Sequence, residues 1–263
     1  MDAQIIIVLI LNFIISLIGT LAYSTRLVGV RTGKIAVTFA VFNVLMIVSR
    51  TAVTFQSPLL TKFVATNPNS NELIKIFNLI IIISGLASIV GAFLIPTFQK
   101  AFSKAVNHFS IEKSIPKLII HSFSKTGVKY MRDSIAIPVK ESLTSINFKN
   151  LPKRILFYNC ISVTIMTAGA FAPIYAGSIV PELGTVCLSL SPIINGTATI
   201  LTSIIIDPHL SIMTDDVVEG KCSEEDFRGC VIGMVGSKIV GTFAALVLFI
   251  PASYLIAFVA NYI

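Results

Sequence analysis

The sequence predicts an all-α integral membrane protein: a six-transmembrane-helix bundle with a basic cytoplasmic amphipathic helical insertion between helices 3 and 4. The mean hydropathy is +0.87. Only 13% of the 263 residues are charged, whereas a soluble domain of this length would carry about 25%. Six segments are long and apolar enough to cross a bilayer, which takes about 20 helical residues.

The first three spans and their connections occupy residues 1–98. Span one, about 3–24, is too long for a signal-peptide core. Only Asp2 precedes it where a signal would carry Lys or Arg, so we interpret it as a retained helix. A short basic turn leads to span two, about 35–60, and a polar, turn-rich linker leads to span three, about 73–98.

Residues 99–154 form the one long hydrophilic stretch, with eleven basic residues against three acidic ones. Phe98, Phe102, Ala105 and Phe109 keep helical spacing, and basic helices with an apolar face lie in the headgroup plane. We therefore expect an interfacial helical insertion that contacts anionic lipids. Lys and Arg residues near the membrane surface account for the net charge of +7, and no nucleic-acid partner is predicted.

Residues 155–263 hold spans four to six, about 155–180, 183–206 and 229–262, with an acidic cytoplasmic loop at 207–228. Pro192, Asn195 and Gly196 cluster in span five and predict a real irregularity there. In span six, small residues recur every four positions, an extended face for close helix packing. These are Gly229, Gly233, Ser237, Gly241 and Ala245. We predict a homodimer through this face; the alternative is that the face packs within one protomer.

Orientation follows from the basic loops. The connections at 26–34, 99–154 and 207–228 carry three, eleven and two Lys or Arg residues, whereas the opposite side carries only Lys62. These three connections are therefore predicted to be cytoplasmic, and both termini extracytoplasmic.

No catalytic, metal or cofactor site is predicted. The four cysteines form no C-x-x-C pair and the three histidines are scattered. The chain has no Gly-x-Ser-x-Gly, His-Glu-x-x-His or P-loop motif. Asp207, Asp215 and Asp216 form a cytoplasmic acidic motif whose spacing matches no phosphotransferase pattern, although a metal at that face stays an alternative, and Asp207-Pro208 would equally stop helix five.

Two basic residues, Arg50 and Lys238, lie deep within spans that contain no Asp or Glu. An arginine at the bilayer centre costs roughly 2.5–3.5 kcal/mol on the mildest scale, so it should face a partner or a wet cavity. Asn43, Arg50, Thr54 and Ser57 share one face of span two, and this stripe is predicted to point inward. The alternative is an arginine bonded to backbone carbonyls.

A second polar stripe follows span one, where Asn12, Ser16, Gly19 and Tyr23 lie on one face. It is either a cavity wall or a small-residue packing face. Asn195 of span five is the fifth predicted cavity residue, beside Asn12, Tyr23, Asn43 and Thr54.

The cations predict an anionic ligand, with Arg26, Arg31 and Lys34 at the cytoplasmic mouth and Arg50 and Lys238 beyond them. Guanidinium groups bind phosphate oxygens bidentately, so a lipid with a phosphate or pyrophosphate head fits both the charged interior and the surrounding bilayer.

Several motifs extend this prediction. They are the run 19–36 (GTLAYSTRLVGVRTGKIA), Ser49–Thr51, Gln56–Leu60, Asp207-Pro208, Thr214–Val217 and Gly220-Lys221. In these motifs and in its six-span pattern, essentially the whole chain resembles the Amj family of bacterial lipid II flippases, alternates to the MurJ flippase. The resemblance implies a multi-pass plasma-membrane protein of bacterial cell-wall synthesis. Such a protein moves undecaprenyl-pyrophosphate-linked peptidoglycan precursor to the outer leaflet.

Two other functions stay open at this point. A membrane enzyme acting on polyprenyl phosphates would use the cytoplasmic acids and show metal-dependent turnover. A non-transporting scaffold would use the basic insertion to bind membrane or partners, and Arg50 would then be dispensable.

Overall fold

The computed structural model describes residues 3–67, 70–112, 129, 132–136 and 151–263. Most of the insertion predicted at 99–154 therefore lies outside the described residues. Within those ranges the chain is helical. The helices are α1 Ala3–Leu21, α2 Thr25–Thr32, α3 Ile35–Thr66, α4 Ser70–Glu112, α5 Lys153–Ile179, α6 Gly184–Ser189, α7 Ser191–Leu201, α8 Asp207–Val218 and α9 Glu224–Ala260.

Six helical stretches in the described part of the chain are long and apolar enough to cross a membrane. Their bounds are Ala3–Thr32, Ile35–Thr66, Asn71–Ile111, Lys153–Ile179, Pro181–Val218 and Glu224–Ala260. The prediction of an all-α, six-span membrane bundle is confirmed.

Several helices extend beyond the predicted spans. The basic turn at 26–34 is mostly helix, because α2 continues α1 through one 3₁₀ turn and ends only at Gly33, whose φ of 65° suits glycine. The third span passes Pro96 without a break and ends at Glu112, so its helix includes the first residues of the predicted insertion. Likewise, the acidic segment 207–228 is largely α8 and the first turn of α9, rather than a loop.

The irregularity predicted in span five is confirmed. The helix is interrupted at Leu190, between α6 and α7, and Pro192 lies in the first turn of α7. A π-helical turn, Thr202–Ile206, then joins α7 to α8. Proline has no N–H to donate and therefore fits a helix start better than a helix interior.

The small-residue face of α9 packs against α5 of the same protomer. A Cβ on Gly241 would lie 2.5 Å from the carbonyl oxygen of Cys160, and one on Gly233 would lie 3.0 Å from Leu156. Ser237 on the same face accepts a 2.7 Å hydrogen bond from Asn159 Nδ2. The prediction that this face forms a dimer contact was wrong, because close approach of two backbones within the bundle already uses the missing side chains.

Two packed apolar regions lie at opposite ends of the bundle. The first, which we call the aromatic end, joins the start of α1 and α4 to the ends of α3, α5 and α9. The Phe77 ring packs there against Phe249 at 5.2 Å and edge-to-face against Tyr175 at 5.8 Å, measured between ring centroids. The second, the ion-pair end, buries Leu27 of α2 against Phe227 and Val231 of α9.

Candidate ligand cavity

A cavity of about 550 Å³ lies between the two packed ends of the bundle. Its volume is in the range of pockets that hold a drug-sized ligand. Its walls come from α1, α3, α4, α5, α7 and α9. The polar residues that line it are Asn12, Ser16, Tyr23, Ser49, Gln56, Ser57, Ser84, Thr167, Ser191, Asn195, Lys238 and Thr242.

The polar stripe of α1 forms one wall of this cavity. Asn12, Ser16, Gly19 and Tyr23 all line it, as their shared helix face requires. Of the two alternatives for the stripe, a cavity wall or a packing face, the structure places it on the wall.

A buried amide network holds α1, α3 and α4 together at the cavity wall. Asn12 Nδ2 donates to the carbonyl oxygen of Ile80 at 2.9 Å and to Ser84 Oγ at 2.6 Å. Gln56 Nε2 donates to Asn12 Oδ1 at 3.2 Å. Each of these polar groups would be costly in an apolar interior without a partner, so the network fixes the relative rotation of the three helices.

Lys238 brings a basic group into the cavity. Its Nζ donates to the carbonyl oxygen of Ser16 at 3.2 Å and lies 6.0 Å from the centroid of the Tyr23 ring. Gly19 leaves room for it, since a Cβ there would lie 2.9 Å from the same nitrogen. No Asp or Glu is among the described residues that line the cavity. An anionic group bound here would therefore pair with the amine without competition from a carboxylate of these residues.

Asn195 offers a hydrogen-bonding atom on the part of the wall formed by α7. Its Nδ2 donates to Ser191 Oγ at 3.2 Å, while its buried Oδ1 has no hydrogen-bond partner within the described part of the chain. The interruption before α7 positions both residues beside α5. A ligand hydroxyl or amide would satisfy this oxygen.

A layer of side chains separates the cavity from the ion-pair end. Tyr23 donates from its hydroxyl to Asn159 Oδ1 at 3.0 Å, and Asn159 Nδ2 donates to Ser237 Oγ. Behind this polar layer, Met234 and Leu210 are buried in an apolar cluster. The cavity therefore has a closed floor on this side.

Below this floor, the three basic residues predicted at the cytoplasmic mouth are paired. Arg26 forms an ion pair with Asp207 at 3.3 Å and donates to Ser211 at 2.8 Å. Arg31 forms an ion pair with Glu224 at 2.6 Å, and it also donates to Gln99 of α4 at 3.1 Å. These contacts join α2 to α8, α9 and α4.

The third basic residue, Lys34, donates a hydrogen bond from its Nζ to Asn107 Oδ1 at 2.9 Å. Of the acidic motif, Asp207 thus has a basic partner, while Asp215 is exposed and Asp216 is half-buried. Among the described residues, no group of three or more His, Cys, Asp or Glu side chains is arranged to hold a metal ion.

The stripe on α3 does not face the cavity as expected. Asn43, Arg50 and Thr54 are exposed and are absent from the cavity lining, whereas Ser57 lines it. Thr54 instead donates to the carbonyl oxygen of Arg50, one turn back in its own helix. The polar stripe alone therefore does not identify which residues of α3 line the cavity or what they do there.

A different face of α3, which carries the polar residues Ser49 and Gln56, points into the bundle. Ser49 and Ala52 are small enough for close packing, and Gln56 gains its hydrogen bond to Asn12. Arg50 nevertheless stays close to the cavity. At about 100° per residue, it lies only about 60° around the helix from Val53, which lines the cavity.

Sequence reasoning missed three polar residues of this region: Gln56, Ser84 and Asn159. Each is a buried polar side chain inside a membrane span. That signal alone would have marked them as groups that need a partner in the bundle.

Comparison with known proteins identifies similar sequences. A family model described as "Amj: Alternate to MurJ" matches residues 11–260. The lipid II flippase Amj of Bacillus subtilis (strain 168) is 34% identical over 263 residues, which cover 98% of this chain and 97% of that protein. No solved structure matches the chain.

Proposed function

The chain belongs to the Amj family of alternates to MurJ, and from this premise we propose that it is a lipid II flippase. It moves undecaprenyl-pyrophosphate-linked peptidoglycan precursor from the inner to the outer leaflet of a bacterial plasma membrane. Transport rather than catalysis is its activity.

One observation carries the proposal: the cavity wall presents Lys238 and, within the part of the chain that the structure describes, no carboxylate. A pyrophosphate is the anionic part of the proposed substrate, and an ammonium group stabilises it most in a site that excludes water. The cavity volume of about 550 Å³ suits the pyrophosphate and the adjoining sugar better than the whole disaccharide-peptide head. The rest of the head would need a wider conformation or space beyond the cavity.

The other predicted phosphate-binding residues would meet the phosphate at other positions along the protein. Arg50 stands outside the cavity, where its guanidinium would meet a phosphate at the edge. Arg26, Arg31 and Lys34 would meet it at the cytoplasmic face, but the first two are held by Asp207 and Glu224. Those carboxylates compete with a phosphate for the guanidinium groups, so we propose that the two ion pairs form part of an inner closure.

The membrane potential favours the proposed direction. An anion that moves outward across an inside-negative membrane gains about 2.3 kcal/mol per charge per 100 mV. No carboxylate proton relay is required for that gain.

We propose that both termini are extracytoplasmic and that the insertion 99–154 lies at the cytoplasmic surface on anionic lipids. The excess of Lys and Arg on one side supports this orientation. In a variant without native cysteines, a cysteine replacing Glu182 should react with an impermeant thiol reagent from outside. One replacing Lys125 should not, and external labelling of position 125 would refute the topology.

A homodimer remains part of the proposal, because six helices make a small bundle for so large a head group. The contact surface must differ from the small-residue face of α9, which already packs on α5. Mass measurement in lipid nanodiscs tests this, and a monomer that transports would contradict it.

Purified protein in liposomes provides the decisive test of function. Lipid II placed in one leaflet should become accessible in the other only in vesicles that contain the protein. Metal-dependent hydrolysis of the lipid would instead favour the membrane enzyme on polyprenyl phosphates. Absence of both activities would favour the scaffold.

A further inference from the structure

We propose that the cavity opens sideways into the bilayer, between α3 on one side and α5 on the other. This opening, which we call the portal, holds the isoprenoid chain of the substrate while its pyrophosphate lies inside. The inference rests on the proposed function and adds to it a binding site for the lipid part of the substrate.

The portal is marked by cavity-lining residues that are also exposed. They form two pairs, each spaced by one helical turn: Val53 and Ser57 on α3, and Met166 and Ala170 on α5. Val53 is 46% exposed and Met166 is 44% exposed. The remaining lining residues, including all those on α1, α4, α7 and α9, are buried or half-buried. The open side of the cavity therefore lies between these two pairs.

The portal lies at the depth of the hydrocarbon core. Val53 stands about 27 Å from the start of α3 and about 20 Å from its end, at roughly 1.5 Å per residue. Met166 is the midpoint of α5. Since the hydrocarbon core is about 30 Å thick, an opening at the middle of two spanning helices faces acyl chains rather than water.

Both ends of the cavity are packed. Leu60, Phe171 and Ile174 line it on one side and belong to the buried cluster at the aromatic end. On the other side, Tyr23 contacts Asn159 above a buried apolar layer. With both ends closed, the side is the route by which a lipid can reach Lys238.

Charge and polarity specify the occupant. Lys238 inside and Arg50, one turn from Val53 on α3, attract an anionic head, and none of the described lining residues is a carboxylate that would repel it. Val53, Met166 and Ala170 give the opening mostly apolar edges that suit a hydrocarbon chain. An anionic lipid therefore fits with its head inside and its chain outside, and under the proposed function this chain is isoprenoid.

A bulky side chain at the portal tests the inference. Val53→Trp should slow lipid II translocation at least about tenfold, which corresponds to a barrier higher by about 1.4 kcal/mol. Val48→Trp is the matched control. Val48 is also an exposed valine of α3, at 53%, but it does not line the cavity. This control should transport at the wild-type rate, and Met166→Trp should reproduce the block from the other edge.

The outcomes separate this inference from the proposed function. If wild-type protein does not translocate lipid II, the function itself fails. If wild-type protein translocates and Val53→Trp behaves as Val48→Trp does, only the portal is refuted.

Photocrosslinking provides a second measurement that does not depend on transport. A benzophenone amino acid at position 53 should crosslink lipid II in liposomes, and one at position 48 should not do so above background. Excess phosphatidylglycerol should not compete. Equal crosslinking at both positions, or capture of phosphatidylglycerol alone at position 53, would overturn the assignment.

Discussion

Replacing Lys238 by glutamine separates a role in binding the substrate from a role in folding. The amide of glutamine can still donate a hydrogen bond toward the Ser16 carbonyl, which Lys238 Nζ contacts at 3.2 Å, but it carries no charge. A hydrogen bond to a charged group contributes about 1.5–3 kcal/mol, so its loss should slow lipid II translocation by about tenfold to about a hundredfold.

The same change should leave the thermal unfolding midpoint unchanged or raise it. No carboxylate of the described residues lines the cavity, so glutamine removes a desolvated basic group without leaving an acid unpaired. Translocation into the outer leaflet of proteoliposomes and thermal unfolding in the same lipid would be measured in parallel.

Lys62→Gln is the control, because this exposed lysine near the end of α3 does not line the cavity. Normal transport by Lys238→Gln would refute the reasoning. A lowered unfolding midpoint would instead identify Lys238 as a structural residue.

Three further predictions concern Arg50, the ion-pair end and the α5–α9 contact. Arg50→Ala should abolish or strongly slow transport, whereas its thermal stability should not change because the side chain is exposed. Arg50→Lys should retain part of the activity, since lysine keeps the charge. Normal transport by the alanine variant would exclude a phosphate contact. Asp207→Arg should impair transport while changing the free energy of unfolding by no more than about 1 kcal/mol. Adding Arg26→Asp to this variant should restore part of the transport. If transport in liposomes is not restored, the ion pair is not a closure. Gly241→Leu should reduce the folded yield in detergent without changing the oligomeric state, since the new Cβ would meet the Cys160 carbonyl. Gly236→Leu is the control and should fold normally, because a Cβ at Gly236 meets open space. Equal yields of the two variants would contradict the packing of α9 on α5.

Much of the fold could be predicted from local sequence. Length and hydropathy identify the six spans, because every backbone polar group in lipid must be paired within a helix. The irregularity before α7 was also predictable, since Pro192 cannot continue the hydrogen bonding of the preceding turn. Helix ends were less accurate, because Pro96 and Asp207-Pro208 lie in or at the start of helices that continue past them.

The candidate cavity was only partly predictable. Asn12 and Tyr23 of the polar stripe on span one, the cation of Lys238 and the amide of Asn195 all line it. Asn43 and Thr54 do not, because α3 has two polar stripes and hydropathy does not choose between them.

By itself the sequence determined the number of spans, the depth of the cations and the absence of acids beside them, since these depend on composition along single helices. Only the tertiary structure decided which side of each helix faces the cavity. Gln56 turns inward because it meets Asn12, a residue 44 positions away, and Arg26 is paired because Asp207 arrives from the other half of the chain. The small residues of α9 contact α5 for the same reason: helix rotation is set by contacts between distant segments, which no single segment encodes.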